Sequence, residues 1–91
     1  LLNEEVSSTS WFLSNGIHKI GRLLEKEIIL DDVTVSRHHA FINVDDEYIS
    51  ITDEQSTNGI FVNGDLLTES PLKSGDRLQI GKYSLIVTKT E

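Results

Sequence analysis

Apolar and polar residues alternate in short runs along nearly the whole chain, and no window has the spacing of an amphipathic helix. This alternation predicts β-strands that bury one face and expose the other. The predicted strands are Trp11–Leu13, Ile17–Ile20, Glu27–Leu30, Ala40–Val44, Tyr48–Thr52, Ile60–Val62, Leu66–Leu67, Leu78–Ile80 and Tyr83–Val87. Many short strands separated by turn residues indicate an all-β sandwich or barrel.

Turn-forming residues separate the members of each predicted strand pair. The turns are Ser14-Asn15-Gly16, Asp45-Asp46-Glu47, Asn63-Gly64 and Gly81-Lys82. Asn-Gly is the favoured two-residue hairpin turn, so we expect Asn15-Gly16 to join the first two strands in a hairpin. We expect Pro71 and Gly75 to lie in a loop, where neither interrupts a strand ladder.

Length and charge narrow the class of protein. The 91 residues predict one domain, 1–91, with its core at about 11–87. The chain starts without methionine and ends in a strand-like run, so we expect it to be part of a larger protein. Its net charge of −7 argues against nucleic acid and anionic membranes as partners. The absence of cysteine fits a reducing compartment, and we expect a cytoplasmic, intracellular location.

Four polar clusters lie where one apolar run stops and the next begins, which places them in loops at strand ends. They are Gly21-Arg22, Ser36-Arg37-His38-His39, Ser56-Thr57-Asn58-Gly59 and Asn63-Gly64. An arginine, two hydroxyl side chains and an asparagine amide on adjacent loops could hold a phosphate on a peptide. In an acidic protein such a site must be local and built from preorganised donors, because salt screens repulsion beyond ~8 Å.

The order and spacing of these clusters resemble the forkhead-associated (FHA) domain, a module that binds phosphothreonine peptides. The resemblance spans roughly Trp11 to Val87 and includes Leu72 and Gly75-Asp76 before the last hairpin. It implies a two-sheet β-sandwich of about ten or eleven short, mostly antiparallel strands, with ligand loops at one end. The implied partner is a threonine-phosphorylated protein segment, from a Ser/Thr kinase substrate or the kinase itself. It implies a monomeric domain with no cofactor, no metal and no catalysis.

The resemblance also assigns roles to individual residues. Phosphate-binding residues would be Arg22, Ser36, Arg37 and Thr57, and Asn58 would hold the peptide backbone. Structural support would come from Gly21, His39 and Gly59. Three positions depart from the family pattern: Glu27 replaces a frequent aspartate, Gln55 replaces a frequent glycine, and Leu23-Leu24 are more apolar than usual. These departures concern the preferred ligand sequence and leave the phosphate-binding residues in place.

Other interpretations of these residues remain open. Arg22 alone could be a surface arginine paired with one of the many carboxylates. Asn58-Gly59 and Asn63-Gly64 could serve as plain turns, and for Asn63-Gly64 we favour that interpretation. A phospho-independent interaction or self-association module could use the same fold. More remotely, Ser36, His39 and Asp53 could form a hydrolase triad, although Ser36 lacks a nucleophile-elbow context.

Overall fold

The computed structural model describes residues 2–4 and 9–89, so Leu1, Glu5–Ser8 and Thr90-Glu91 of the predicted domain lie outside the described residues. The described residues form eleven strands and no helix, which confirms the all-β prediction. The strands are β1 (Leu2–Glu4), β2 (Ser10–Trp11), β3 (Gly16–Gly21), β4 (Ile28–Ile29), β5 (Ala40–Val44), β6 (Ile49–Asp53), β7 (Ile60–Val62), β8 (Asp65–Leu67), β9 (Glu69–Leu72), β10 (Arg77–Ile80) and β11 (Tyr83–Val87).

These strands build two sheets that face each other as a sandwich. One sheet has six strands in the order β2-β1-β11-β10-β7-β8, and the other has five in the order β4-β3-β5-β6-β9. Every pairing is antiparallel except the short β3–β4 pair. The core lies between the sheets because successive side chains on each strand point to opposite faces. Its fully buried large apolar side chains are Leu2, Ile20, Ile28, Leu30, Val35, Ile42, Ile51, Ile60, Leu78, Ile80 and Leu85.

Strand register brings three of the polar loops to one end of the five-stranded sheet. Ile20 near the end of β3 pairs with Ala40 at the start of β5, and Ala40 pairs with Asp53 at the end of β6. The end of β3, the start of β5 and the end of β6 therefore lie at the same end of the sheet. Loops 22–27, 30–39 and 54–59 meet there, as the resemblance implied.

The hairpin predicted at Asn15-Gly16 is wrong. β2 and β3 belong to different sheets: Trp11 pairs with Leu2 in one, and Gly16 pairs with Val44 in the other. The Asn15 side chain donates to an Asp46 carboxylate oxygen at 2.7 Å, which fastens the crossing segment to another loop. Turn propensity was correct about a change of direction, but the choice of partner strand depends on the whole sandwich.

The predicted loop position of Pro71 is also wrong. Pro71 lies within β9 opposite Ser50 of β6, on a strand that forms the edge of its sheet. An edge strand pairs on one side only, so it tolerates a residue that lacks a backbone N–H group. Two strands were not predicted at all, β1 and β9, and Leu2 of β1 is nevertheless fully buried in the core.

Candidate functional site

Backbone contacts join the end of β3 to the segment before β5. Arg22 donates its N–H to the Ser36 carbonyl at 3.1 Å, and His39 donates to the Ile20 carbonyl at 3.0 Å. Gly21 makes this approach possible, because a Cβ at that position would lie 2.1 Å from the Arg37 carbonyl oxygen. Any other residue would push the loops apart, so glycine is required by close packing here.

The Arg22 side chain is held in place at this junction. It is half-buried, and its Nε donates to the Val35 carbonyl at 3.1 Å. Within residues 2–4 and 9–89 the two terminal nitrogens make no hydrogen bond or ion pair. Arg37 is exposed and likewise has no carboxylate partner among the described residues. Arg22 therefore does not form the surface ion pair that was its plain alternative.

Ser36 links the second loop to the third. Its hydroxyl oxygen accepts the N–H of Thr57 at 3.0 Å. A hydroxyl that accepts in this way keeps its own proton to donate elsewhere. Ser36 is half-buried, whereas Thr57 is exposed. The bond places both side chains at the junction of loops 30–39 and 54–59, near the backbone that holds Arg22.

Loop 54–59 is stiffened by its own side chains. Ser56 donates its hydroxyl to one oxygen of Asp53 and its N–H to the other at 3.2 Å. The Ser56 hydroxyl oxygen in turn accepts the N–H of Gly59 at 2.9 Å. The sharp turn puts Gln55 at a φ of 58°, a left-handed conformation that glycine adopts without strain. The loop thus presents Thr57 and Asn58 from a closed frame.

Asn58 has one hydrogen bond inside the described protein. Its Nδ2 donates to the Thr34 carbonyl at 2.8 Å, and the side chain is exposed. The second N–H and the amide oxygen are therefore available, which suits a peptide backbone that both donates and accepts. Gly59 has a φ of 76°, a left-handed conformation that glycine adopts without strain, whereas a Cβ there would meet only the tip of the exposed Leu66 side chain.

His39 lies beneath these loops and is completely buried. Its Nδ1 accepts the Ser36 N–H at 3.0 Å, so the proton of a neutral ring must sit on Nε2, which donates to the Gly59 carbonyl at 2.8 Å. Both nitrogens are thus committed to backbone. The ring faces neither the Ser36 hydroxyl nor Asp53, and the three residues do not form a triad.

Comparison with a family model identifies the domain family of this chain. The family model described as the FHA domain matches residues 18–81, which include all three loops. The chain belongs to the FHA domain family. One curated relative is the glycogen accumulation regulator GarA of Mycobacterium tuberculosis, which is 36% identical over 80 residues, or 88% of this chain and 49% of GarA. The chain spans about half the length of the curated relatives it matches.

Two solved structures superpose closely on this one. A structure from a study of phosphothreonine-dependent FHA domain interactions has a TM-score of 0.94 and 32% identity, covering 99% of this chain and 95% of that chain. EmbR of Mycobacterium tuberculosis, solved with a low-affinity phosphopeptide, has a TM-score of 0.89 and 31% identity, covering 99% of this chain and 25% of EmbR.

All eight site residues predicted for this FHA domain lie at one end of the sandwich, on or beneath the three loops. Sequence reasoning missed Thr34, which holds the Asn58 side chain, and the Asp53–Ser56 pair, which closes the third loop. A signal existed for each, because Asp-x-Thr and Asp-x-x-Ser are local side-chain-to-backbone patterns. Those patterns do not reveal that the Thr34 carbonyl also binds the Asn58 side chain in another loop.

Among the described carboxylates near these loops, only Asp32 has a pKa that departs clearly from its ordinary value. Its pKa is lowered to about 2, chiefly by the hydroxyl of Thr34, then by the Thr34 N–H and by Lys82. The Lys82 Nζ lies 3.2 Å from an Asp32 oxygen. Elsewhere in the described ranges, no group of three acidic or histidine side chains is placed to hold a metal, and no helix could span a membrane.

Proposed function

We propose that this FHA domain binds threonine-phosphorylated segments of partner proteins and performs no chemistry on them. Arg22, Ser36, Arg37 and Thr57 would hold the phosphate, and Asn58 would orient the peptide backbone. The rest of the protein, and its partners, would belong to signalling by Ser/Thr kinases, with the kinase or one of its substrates supplying the segment. The chain would act as one folded unit over residues 1–91.

One observation carries this proposal: the Arg22 guanidinium is fixed through Nε, and its terminal nitrogens have no partner among residues 2–4 and 9–89 of a strongly acidic protein. With 15 acidic against 8 basic side chains, the chain offers many carboxylates with which Arg22 could have paired. Arg22 is instead held by a carbonyl, beside a serine hydroxyl whose proton is also available. The hydrogen bonds that an arginine donates to a phosphate are charge-assisted and are about twice as strong as hydrogen bonds between neutral groups.

The absence of a poised nucleophile supports a binding role over hydrolysis. The only histidine beneath the loops among the described residues is His39, and both of its nitrogens are bonded to backbone groups. Neither nitrogen is left to accept the proton of the Ser36 hydroxyl. A hydrolase would need that base within hydrogen-bond reach of the serine hydroxyl.

Titration with four matched peptides tests the proposal. The peptides carry phosphothreonine, phosphoserine, glutamate or threonine at one position, within a sequence selected from a phosphothreonine peptide library. A phosphate brings ~−1.5 to −2 charge and three acceptor oxygens, whereas glutamate brings one charge and two. We expect phosphothreonine to bind best and glutamate not to replace it. Equal affinity for phosphothreonine and threonine would favour the phospho-independent interaction module and end this proposal.

A further inference from the structure

Every polar group of Thr34 is bonded, either within its own loop or to a neighbouring loop or turn. Its N–H and its hydroxyl donate to one Asp32 oxygen at 2.9 and 2.5 Å, and its hydroxyl oxygen accepts the Lys82 N–H at 2.9 Å. Its carbonyl accepts the Asn58 side chain. Thr34 thus joins loop 30–39, loop 54–59 and the turn between β10 and β11.

The β10–β11 turn also presses directly on Thr34. Gly81 has a φ of 58°, and a Cβ there would lie 2.5 Å from the Thr34 hydroxyl oxygen and 2.8 Å from its carbonyl oxygen. That carbonyl is the oxygen that holds Asn58. The turn belongs to the six-stranded sheet, whereas loop 30–39 leads into the five-stranded sheet. The β10–β11 turn of the six-stranded sheet therefore fixes the position of loop 30–39, which leads into the five-stranded sheet.

We propose that Thr34 is a positioning residue that aligns Asn58 for the peptide backbone, using the β10–β11 turn as its fixed point. The inference rests on the proposed function. Asn58 is exposed, and its bond to the Thr34 carbonyl is the one internal bond of its side chain in the described residues. The Thr34 hydroxyl never reaches the ligand: it is held between Asp32 and Lys82 and acts through the carbonyl of the same residue.

A pair of substitutions isolates the hydroxyl. Thr34→Val keeps the shape and the carbonyl but removes both hydroxyl bonds, and Thr34→Ser keeps the hydroxyl. With the library-selected phosphothreonine peptide as probe, we expect Thr34→Val to bind about tenfold more weakly, a change of about 1.4 kcal/mol. Thr34→Ser should stay within about twofold of wild type, since its bonds to Asp32 and Lys82 remain.

A second pair reaches Thr34 from the turn. Gly81→Ala drives a Cβ against Thr34, whereas Gly64→Ala introduces a comparable left-handed alanine where nothing lies within 4 Å. Both variants should lose stability from backbone strain. Only Gly81→Ala should weaken peptide binding, measured at a temperature where both variants are folded.

Nuclear magnetic resonance separates positioning from general destabilisation. The two side-chain amide signals of Asn58 should move in Thr34→Val and in Gly81→Ala, and should stay at their wild-type positions in Thr34→Ser and Gly64→Ala. If wild type binds the probe and Thr34→Val binds equally well with unmoved Asn58 signals, the inference is wrong and the proposed function stands. If wild type binds no phosphothreonine peptide, both are wrong.

Discussion

Two Asn-Gly pairs flank strand β7, and they do different work. Asn63-Gly64 follows the strand with φ values of 51° and 89°, which is the type I′ turn that leads into β8. Asn58-Gly59 precedes the strand, and only Gly59 has a positive φ, of 76°. The first pair is plain turn chemistry, as predicted, and the second closes a loop that faces solvent.

The side chains of the two asparagines differ more than their backbones. Asn63 donates to a carboxylate oxygen of Asp76 and accepts the N–H of Arg77, each at 3.0 Å, so its donor and acceptor serve the fold. Asn58 makes a single bond, to Thr34, and the rest of its amide faces solvent. The same dipeptide is structural where the fold occupies its polar atoms and available for a ligand where it does not.

Charge repeats the contrast at the two ends of the strand. At the far end, the buried Asp76 carboxylate accepts both Asn63 and the Lys73 N–H, at 2.9 Å for the latter. At the loop end, Arg22 keeps its terminal nitrogens unbonded within the described chain. At the far end the Asp76 carboxylate has its donors, whereas at the loop end Arg22 offers unused donors, which an anionic ligand requires.

The largest effect should come from removing a donor at the loop end. Arg22→Ala should weaken binding of a phosphothreonine peptide by on the order of 2–5 kcal/mol, because the dianion loses a charge-assisted partner. Calorimetric titration gives the affinity, and thermal unfolding should place the two melting temperatures within a few degrees. Arg77→Ala makes the same charge change at the far end and should bind like wild type. An Arg22→Ala domain within about threefold of wild type would contradict the phosphate assignment.

Next in size is the loss of the ring beneath the loops. His39→Ala removes a buried group with two backbone partners, and each unmet partner costs ~1–3 kcal/mol of unfolding free energy. Ser36→Ala should instead change stability little and affinity strongly. Urea unfolding and peptide titration on both variants test this division. His39→Ala with wild-type unfolding and no binding would move His39 into the ligand site.

The two asparagines should separate stability from affinity. Asn63→Gly keeps the turn conformation but leaves Asp76 short of a donor, so we expect a loss of ~1–3 kcal/mol in unfolding free energy and unchanged peptide affinity. Asn58→Ala should leave unfolding near wild type and weaken peptide binding. If both variants shift the same quantity, the contrast between the two ends of β7 does not hold.

The smallest expected effect is an acid-dependent one at Asp32. Its folded pKa of about 2 lies below the unfolded value of ~3.9, so its bonds to Thr34 and Lys82 stabilise the fold above about pH 4 and are lost as pH falls towards 2. Urea midpoints measured between pH 7 and pH 2 should therefore fall less for Asp32→Asn than for wild type. Parallel acid profiles would remove Asp32 as a contributor.

Much of the fold was predictable because its signals are local. Alternation in Ala40–Val44 and Tyr83–Val87 marked real strands, and Asn63-Gly64 marked a real turn. Pro71 was misplaced because a proline signal does not tell an edge strand from a loop. The strands missed, β1 and β9, are short and carry mixed side chains, so they are defined by their partners.

The candidate site divides in the same way. The spacing of Arg22, Ser36 and Asn58 placed all three in loops, and the family resemblance grouped them. The sequence could not predict whether the Arg22 guanidinium is already paired with a carboxylate. The chain has 15 acidic side chains, and only their positions in the fold show which of them lie close enough to pair. Gln55 was interpreted as a change in ligand preference, whereas its φ of 58° is a local backbone reason for the frequent family glycine at that position.

By itself the sequence determined most of the strands, the turn at Asn63-Gly64 and the loop location of the polar clusters, because side-chain periodicity and backbone sterics act over a few residues. Only the tertiary structure decided that Trp11 and Gly16 belong to different sheets and that Thr34 holds Asn58. Thr34 and Lys82 are 48 positions apart. Contacts over such separations depend on how two sheets pack, and no local pattern encodes which polar atoms that packing leaves unused.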